Sequence, residues 1–289
     1  MPELPEVETI TRGLAKRVTG DVIDSAWFGE KPQVLKSPAA AMAETIEHTR
    51  ILAVRRMGKH IVFDLERTEQ APSPAKTSPG KKNRVAQPLP AKAQWIVHLG
   101  MTGRLQVCEP KDEIAKHTHA ILKLASDREL RFLDPRRFGR MSVAKSDFDA
   151  GGVEPLEVEL DRFVELFHGR KTPIKSALLN QSLLRGVGNI YADESLFRAG
   201  IRPRRRANTL SREQLRKLYL SVQEVLREAI RLGGSSISDY VDADGEEGFF
   251  QLQHRVYGRE GEPCLVCKTP VKRIVLGGRS SHYCPKCQK

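Results

Sequence analysis

No run of about 18 apolar residues occurs in the 289-residue chain, so no segment can cross a bilayer as a single helix. The opening MPELPEVETI has neither the basic stretch nor the apolar stretch of a secretory leader, and a cytoplasmic protein is expected. Cysteine is scarce, at five residues, and four of them crowd into the last part of the chain. A disulfide framework spread through the fold is therefore excluded, and a reducing compartment argues against a local pair. Acid is in deficit: Asp and Glu number 36 against 48 Lys and Arg, a net charge of +12. That imbalance suits a polyanionic partner, nucleic acid before membrane, although a generically basic protein would share it.

What is present begins with the cysteines. Cys264, Cys267, Cys284 and Cys287 read C-x2-C-x16-C-x2-C, the spacing of a closed tetrahedral zinc site. One structural Zn(2+) is expected there, stabilising a module too small to fold unaided. Residues 255–289 hold eight Lys/Arg and two Glu, so this module carries +6, half the chain's excess charge. Cys108 stands apart with no paired base near it in sequence and reads as an inert thiol.

At the other end, Pro5 with Glu6 and Glu8 in the first turn, then Val7, Ile10, Leu14 and Val18, predicts a helix with one apolar stripe. Residues 21–65 and 95–145 alternate short apolar runs with polar ones and predict a β-rich domain over 1–145. Residues 66–94 interrupt it with five prolines, six Lys/Arg and two Glu, which predicts a disordered insertion that could tether DNA weakly. From 146 to 250 helical periodicity takes over. TPIKSALLNQSLL and NIYADESLFRAGI predict two helices joined by Arg185–Gly188. Ser211 with Gln214 predicts a capping box opening a long helix that Gly233-Gly234 end. SSISDYVDADGEEGFF, polar and glycine-bearing, predicts a mobile loop, and 251–289 is the cysteine module.

Several stretches invite chemistry. If Met1 is removed, Pro2 becomes a free secondary amine ahead of the positive end of a helix. Such an amine attacking a sugar C1′ gives a permanently charged iminium, which acidifies the C2′ proton. Glu3 could protonate the ring oxygen, and Lys59 could serve as a further acid. DPRRFGR offers Phe138 between arginines, and HLGMTGRL offers Met101 on a glycine-flanked turn. Both suit wedges driven into a base stack, with Arg136 holding what they displace; alternatively, Asp134 and Arg136 simply pair across a hairpin. Gly186-Val187-Gly188 with Lys171 and Lys175 upstream reads as a phosphate clamp, or as a plain helix–helix turn. His117 and His119, two apart on an expected strand, should share a face, with His117 bonding phosphate or backbone.

Taken together, MPELPEVE, Gly58-Lys59, HLGMTG, DPRRFG, KTPIK, GVGNIYADESLF, VYGREGEPC and CPKCQK resemble the bacterial formamidopyrimidine-DNA glycosylases across nearly the whole chain outside 66–94. Residues 145–168 match weakly, Met57 stands where many relatives carry arginine, and Val153 interrupts an LGPEPL-like stretch. The resemblance implies an α+β fold: an N-terminal β-sandwich with its N-terminal helix, then a helical domain with a helix–two-turn–helix element, then a four-cysteine zinc finger. It implies an enzyme that removes 8-oxoguanine and formamidopyrimidines from double-stranded DNA, and nicks it at abasic sites by β,δ-elimination; a monomer is expected only because no stretch resembles a dimer seam. On matching motifs Pro2 is the nucleophile, Glu3 the acid/base, and Lys59 the aid to β-elimination, with Arg279 aiding δ-elimination from the finger. Met101, Arg136 and Phe138 would fill the gap of a flipped base, and His117, Lys171, Lys175 and Asn189 would hold the backbone. The loop after Gly234 would close over the lesion. The endonuclease VIII-like glycosylases of oxidised pyrimidines are a rival reading, which Leu4, HLGMTG and DPRRFG disfavour. A non-catalytic zinc-ribbon binder would leave Pro2 without a role.

Overall fold

The computed structural model describes residues 1–29, 31, 33–68, 92–236 and 248–289. Most of the expected tether (69–91) and most of the expected lesion loop (237–247) lie outside the described residues. The described chain divides into two units. One is Met1, Ile10–Arg56 and His60–Phe148; the other is Pro2–Thr9, Met57–Lys59 and Asp149–Lys289. The boundary falls inside the first helix α1 (Leu4–Val18) and isolates a three-residue turn, so short pieces of the N-terminal half belong with the C-terminal unit.

The first unit is built on eight antiparallel strands: β1 (Val22–Phe28), β2 (Thr49–Met57), β3 (His60–Arg67), β4 (Lys92–His98), β5 (Arg104–Cys108), β6 (Thr118–Leu124), β7 (Glu129–Leu133) and β8 (Arg140–Ala144). Their order is β5-β7-β6-β1-β2-β3-β4-β8. The expected sandwich takes the form of two four-stranded halves joined through the β1–β2 ladder, where Val22 meets Arg50 and Ile23 meets Thr49. Just beyond, the β1–β6 register shifts between Ile23 and Ser25, and the extra residue of such a bulge lets a sheet turn. The inner strands β3 and β4 read as apolar runs because Ile61, Val62, Phe63, Trp95, Ile96 and Val97 are all buried. A short helix α2 (Ala39–Ile46) packs Met42 and Ile46 into the same unit.

The second unit holds α3 (Leu160–Phe167), α4 (Ile174–Leu178), α5 (Asn189–Arg198), α6 (Arg212–Arg231) and the hairpin β9 (Lys272–Leu276)–β10 (Arg279–Tyr283). Ser211 and Gln214 form the reciprocal capping box that opens α6. Leu215, Leu218, Val222, Val225, Leu226 and Ala229 then line one buried stripe against Phe163, Tyr191 and Phe250. The helix expected over TPIKSALLNQSLL stops at Leu178. Asn180 ends it: its carboxamide oxygen accepts from Ser182 N–H, and its carbonyl accepts from Leu183 and Leu184, a turn competing with the helical ladder. The cysteine module has a small core of its own in Val256, Val271, Cys264 and Cys284, completed by Phe197 from α5. Among the described residues no helix is long and apolar enough to cross a membrane.

Candidate active site

Glu3 is placed by α5, which begins at Asn189 with Gly188 as its N-cap. Glycine has no side chain to satisfy the free amides of a helix start, and Glu3 supplies that acceptor from 187 positions away. Its Oε1 accepts from Ile190 N–H at 3.2 Å. Only glycine permits this approach, because a Cβ on Gly188 would lie 2.1 Å from the Glu3 carboxyl carbon. The backbone around Glu3 is pinned as well. Its N–H donates to Glu6 Oε2 at 2.8 Å, and Leu4 N–H donates to Gly186 O at 3.0 Å. Glu6 is itself held by Ser235 N–H at 2.8 Å and by the Tyr191 hydroxyl. Pro2, between Met1 and this pinned carboxylate, is buried.

Burial raises the Glu3 carboxyl to about 7, with Lys59 pulling it down and Glu6 pushing it further up. Lys59 follows Gly58, whose φ of +59° makes the tight turn after β2. Gly58 N–H donates to Glu154 Oε1 at 2.8 Å, and Arg185 braces the same oxygen at 3.0 Å. Burial depresses the Lys59 ammonium; Glu3 opposes that shift and Arg279 adds to it. One acid held near neutrality beside a partly desolvated amine is the arrangement that general acid–base chemistry needs at physiological pH. Arg279 is exposed at the first position of β10, after Gly277 and Gly278, both with positive φ.

Asn189 Nδ2 lies 3.5 Å from Ser280 Oγ, while its Oδ1 is buried without a hydrogen-bond partner among the described residues. Tyr257, not singled out from the sequence, sits in the same electrostatic environment: burial pushes its hydroxyl up, and Asn189 and Arg279 pull it back. Lys171 is exposed, as a phosphate contact requires. Lys175 differs from the expectation. Its side chain is 1% exposed, its Nζ is 2.7 Å from Asp193 Oδ1, and it donates to Ser280 O at 2.6 Å. Its ammonium is engaged inside the protein, because an uncompensated buried charge would be costly.

In the first unit, the two candidate wedges stand next to one another. A Cβ on Gly100 would meet Gly139 N and Phe138 C at 2.4 Å, so the HLGMTG and DPRRFG turns touch backbone to backbone. Met101 and Phe138 are 41% and 51% exposed at these tips, open to a cavity of about 830 Å³. Asp134 does not pair with Arg136. It is buried, and takes Thr102 Oγ1 at 2.6 Å and Gly139 N–H at 2.7 Å, locking the turn. Arg136 instead lies over the Phe138 ring at 4.9 Å. His98, which the sequence shows only as part of its motif, lines the same cavity and accepts from Gly100 N–H at 3.0 Å.

His117 and His119 do not share a face. His117 is exposed at φ +73° just before β6, while His119 is buried with Nε2 3.0 Å from Asp134 O. The β6–β7 register shifts between Thr118 and Ala120, so the period-two rule breaks there.

The four cysteines at the chain's end converge, with every Sγ within 4.8 Å of the others. The Cys264–Cys287 and Cys267–Cys284 sulfurs are 3.9 and 3.4 Å apart. Tetrahedral zinc with bonds of about 2.3 Å needs sulfurs about 3.8 Å apart, so the donor set fits one structural Zn(2+). An ion held there would supply the structural cross-link that keeps the finger folded.

Family models match three stretches: the Formamidopyrimidine-DNA glycosylase N-terminal domain over 1–141, the Formamidopyrimidine-DNA glycosylase H2TH domain over 152–241, and the zinc finger found in FPG and IleRS over 261–289. A formamidopyrimidine-DNA glycosylase of Solibacter usitatus is 45% identical, with 100% of both chains aligned. A crystal structure of a Lactococcus lactis FPG mutant with a Fapy-dG containing DNA superposes at TM-score 0.84 and 31% identity, covering 100% of both chains. The MutM (FPG) protein of Thermus thermophilus gives 0.81 and 39%, covering 99% of this chain and 98% of that one. With a buried near-neutral carboxyl beside Pro2, the adjoining HLGMTG and DPRRFG turns and a four-cysteine finger in one chain, and these matches spanning it, the protein belongs to the formamidopyrimidine-DNA glycosylase family.

Proposed function

We propose that the chain is a bifunctional DNA glycosylase and abasic-site lyase that removes oxidised purines, 8-oxoguanine and formamidopyrimidines, from double-stranded DNA and then nicks the strand. Once Met1 is removed, the Pro2 nitrogen attacks C1′ of the damaged nucleotide and the bond to the base breaks. Glu3 delivers a proton to the ring oxygen, the sugar opens, and the C1′–nitrogen bond becomes an iminium. Loss of the C2′ proton expels the 3′ phosphate, assisted by Lys59. A second elimination expels the 5′ phosphate, assisted by Arg279, and water then releases Pro2. Met101 and Phe138 occupy the gap left in the duplex, with Arg136 facing the orphaned base. Lys171, Asn189 and His117 hold the backbone. We place the enzyme in the bacterial cytoplasm on nucleoid DNA, acting as a monomer.

The observation that carries this reading is the Glu3 carboxyl, buried and raised to about 7 next to Pro2. Burial raises Glu6 and Glu194 as well; what sets Glu3 apart is its place directly after Pro2, at a pH where a carboxyl can both give and take a proton. The test is borohydride trapping on duplexes holding 8-oxoguanine opposite cytosine or thymine glycol. A covalent adduct forming preferentially with 8-oxoguanine supports the assignment. Trapping on thymine glycol alone would move the enzyme to the oxidised-pyrimidine class, and trapping on neither removes the glycosylase reading.

A pH profile checks the acid. Base release needs the protonated carboxyl, so its single-turnover rate should fall as pH rises through about 7. Lys59 holds the Glu3 pKa down, so in Lys59→Met the alkaline bend should move to higher pH. A bend that stays in place in this variant would assign the titration to another group.

A further inference from the structure

Asp193 lies on α5, 0% exposed, one turn beyond the helix start that holds Glu3. Its carboxylate reaches the finger twice. Oδ2 accepts from His282 N–H at 2.9 Å and lies 3.3 Å from His282 Nδ1. Oδ1 lies 2.7 Å from Lys175 Nζ, which passes its own hydrogen bond to Ser280 O at 2.6 Å. The strand so gripped is β10, whose first residue is Arg279. The two anchors fall at alternate residues, 280 and 282, and therefore on one side of the strand.

The hairpin needs this grip. Among the described residues β9 and β10 pair only with each other, and an isolated two-stranded hairpin is marginally stable. The zinc ligand Cys284 fixes the far end of β10, while Arg279 stands at the near end beside two glycines. A buried ion pair is a poor choice for stability alone, since apolar residues of similar volume commonly do as well or better. What charged, directional contacts add is a single register and orientation.

We propose that Asp193, through His282 and the Lys175–Ser280 bridge, is a positioning residue that sets Arg279 against the phosphate leaving in the second elimination. The proposal rests on the role given to Arg279 above. Lys175 then serves the same end from inside the protein, without meeting DNA.

The test uses the full-length zinc-loaded enzyme on an abasic duplex under single turnover, reading β- and δ-products separately. Asp193→Ala should lower the ratio of δ- to β-product about tenfold, with zinc content and borohydride trapping through Pro2 held within about twofold. Asp193→Asn keeps an acceptor for His282 and should recover most of the ratio. The Asp193→Ala, Arg279→Ala double variant should be no worse than Arg279→Ala alone, because both remove one function. An unchanged ratio in Asp193→Ala, or additive losses in the double variant, overturns the proposal. If Arg279→Ala itself leaves the ratio intact, the role of Arg279 fails, and the grip is read by amide hydrogen exchange over residues 279–283. Exchange at least tenfold faster in Asp193→Ala would support positioning, and unchanged exchange would end it. Should Asp193→Ala fail to fold, Lys175→Met with Asp193→Leu replaces the buried pair by apolar residues and carries the same readouts.

Discussion

Acetylating Pro2, or leaving Met1 in front of it, is expected to abolish borohydride trapping and to cut base release by about 10³-fold or more, the scale of losing a covalent nucleophile. An amide nitrogen has given its lone pair to a carbonyl and cannot attack a sugar carbon. The rest of the site does not depend on that amine. Glu3 stays held by Ile190 N–H and Glu6, and Leu4 by Gly186. The blocked protein should therefore keep its thermal midpoint and its zinc. Mass spectrometry identifies the start of the chain, and trapping yield reads the chemistry. Undiminished trapping from a blocked N-terminus would transfer the nucleophile to a lysine, with Lys59 the first to be tested.

Gly188→Ala should be nearly as damaging, for a reason that is geometric rather than chemical. The added methyl would sit 2.1 Å from the Glu3 carboxyl carbon and 2.3 and 2.5 Å from its oxygens. One of them has to leave. The carboxyl is the movable partner, so it swings off Ile190 N–H and away from Pro2. Displacing a catalytic group by about 1 Å costs on the order of 100-fold, and base release should fall by at least that much. Binding to an abasic-site duplex should change only a few-fold, because the change leaves the basic residues of the finger untouched. Gly29→Ala is the control, since its methyl meets nothing closer than 3.4 Å. Activity of Gly188→Ala within about threefold of the parent would show that Glu3 does not need its place on α5.

Much of this site is legible in one dimension. Cys264, Cys267, Cys284 and Cys287 announce a metal because the ligand spacing is set by the ion. Ser211 and Gln214 announce the start of α6 because both halves of a capping box lie within one turn. Pro2 and Glu3 stand out as chemistry because a terminal secondary amine is unusual in itself. Elsewhere local rules mislead. His117 and His119 should share a face under strict alternation, and a register shift beside them sends one to solvent and the other inward. Lys175 reads as an exposed basic residue near a glycine turn, and it is buried on Asp193, 18 positions further along.

The sequence alone determined the elements whose energetics close over a few residues or one metal: α6, the alternating strands, the four-cysteine finger and the HLGMTG and DPRRFG turns. Each of these signals is short-range, so it survives being read along the chain. Only the tertiary structure decided that Glu3 caps α5, that its carboxyl rises to about 7, and that Asp193 and Lys175 grip the strand bearing Arg279. These are consequences of desolvation and of partners up to 187 residues apart, and burial is a property that a side chain acquires only from its neighbours in space.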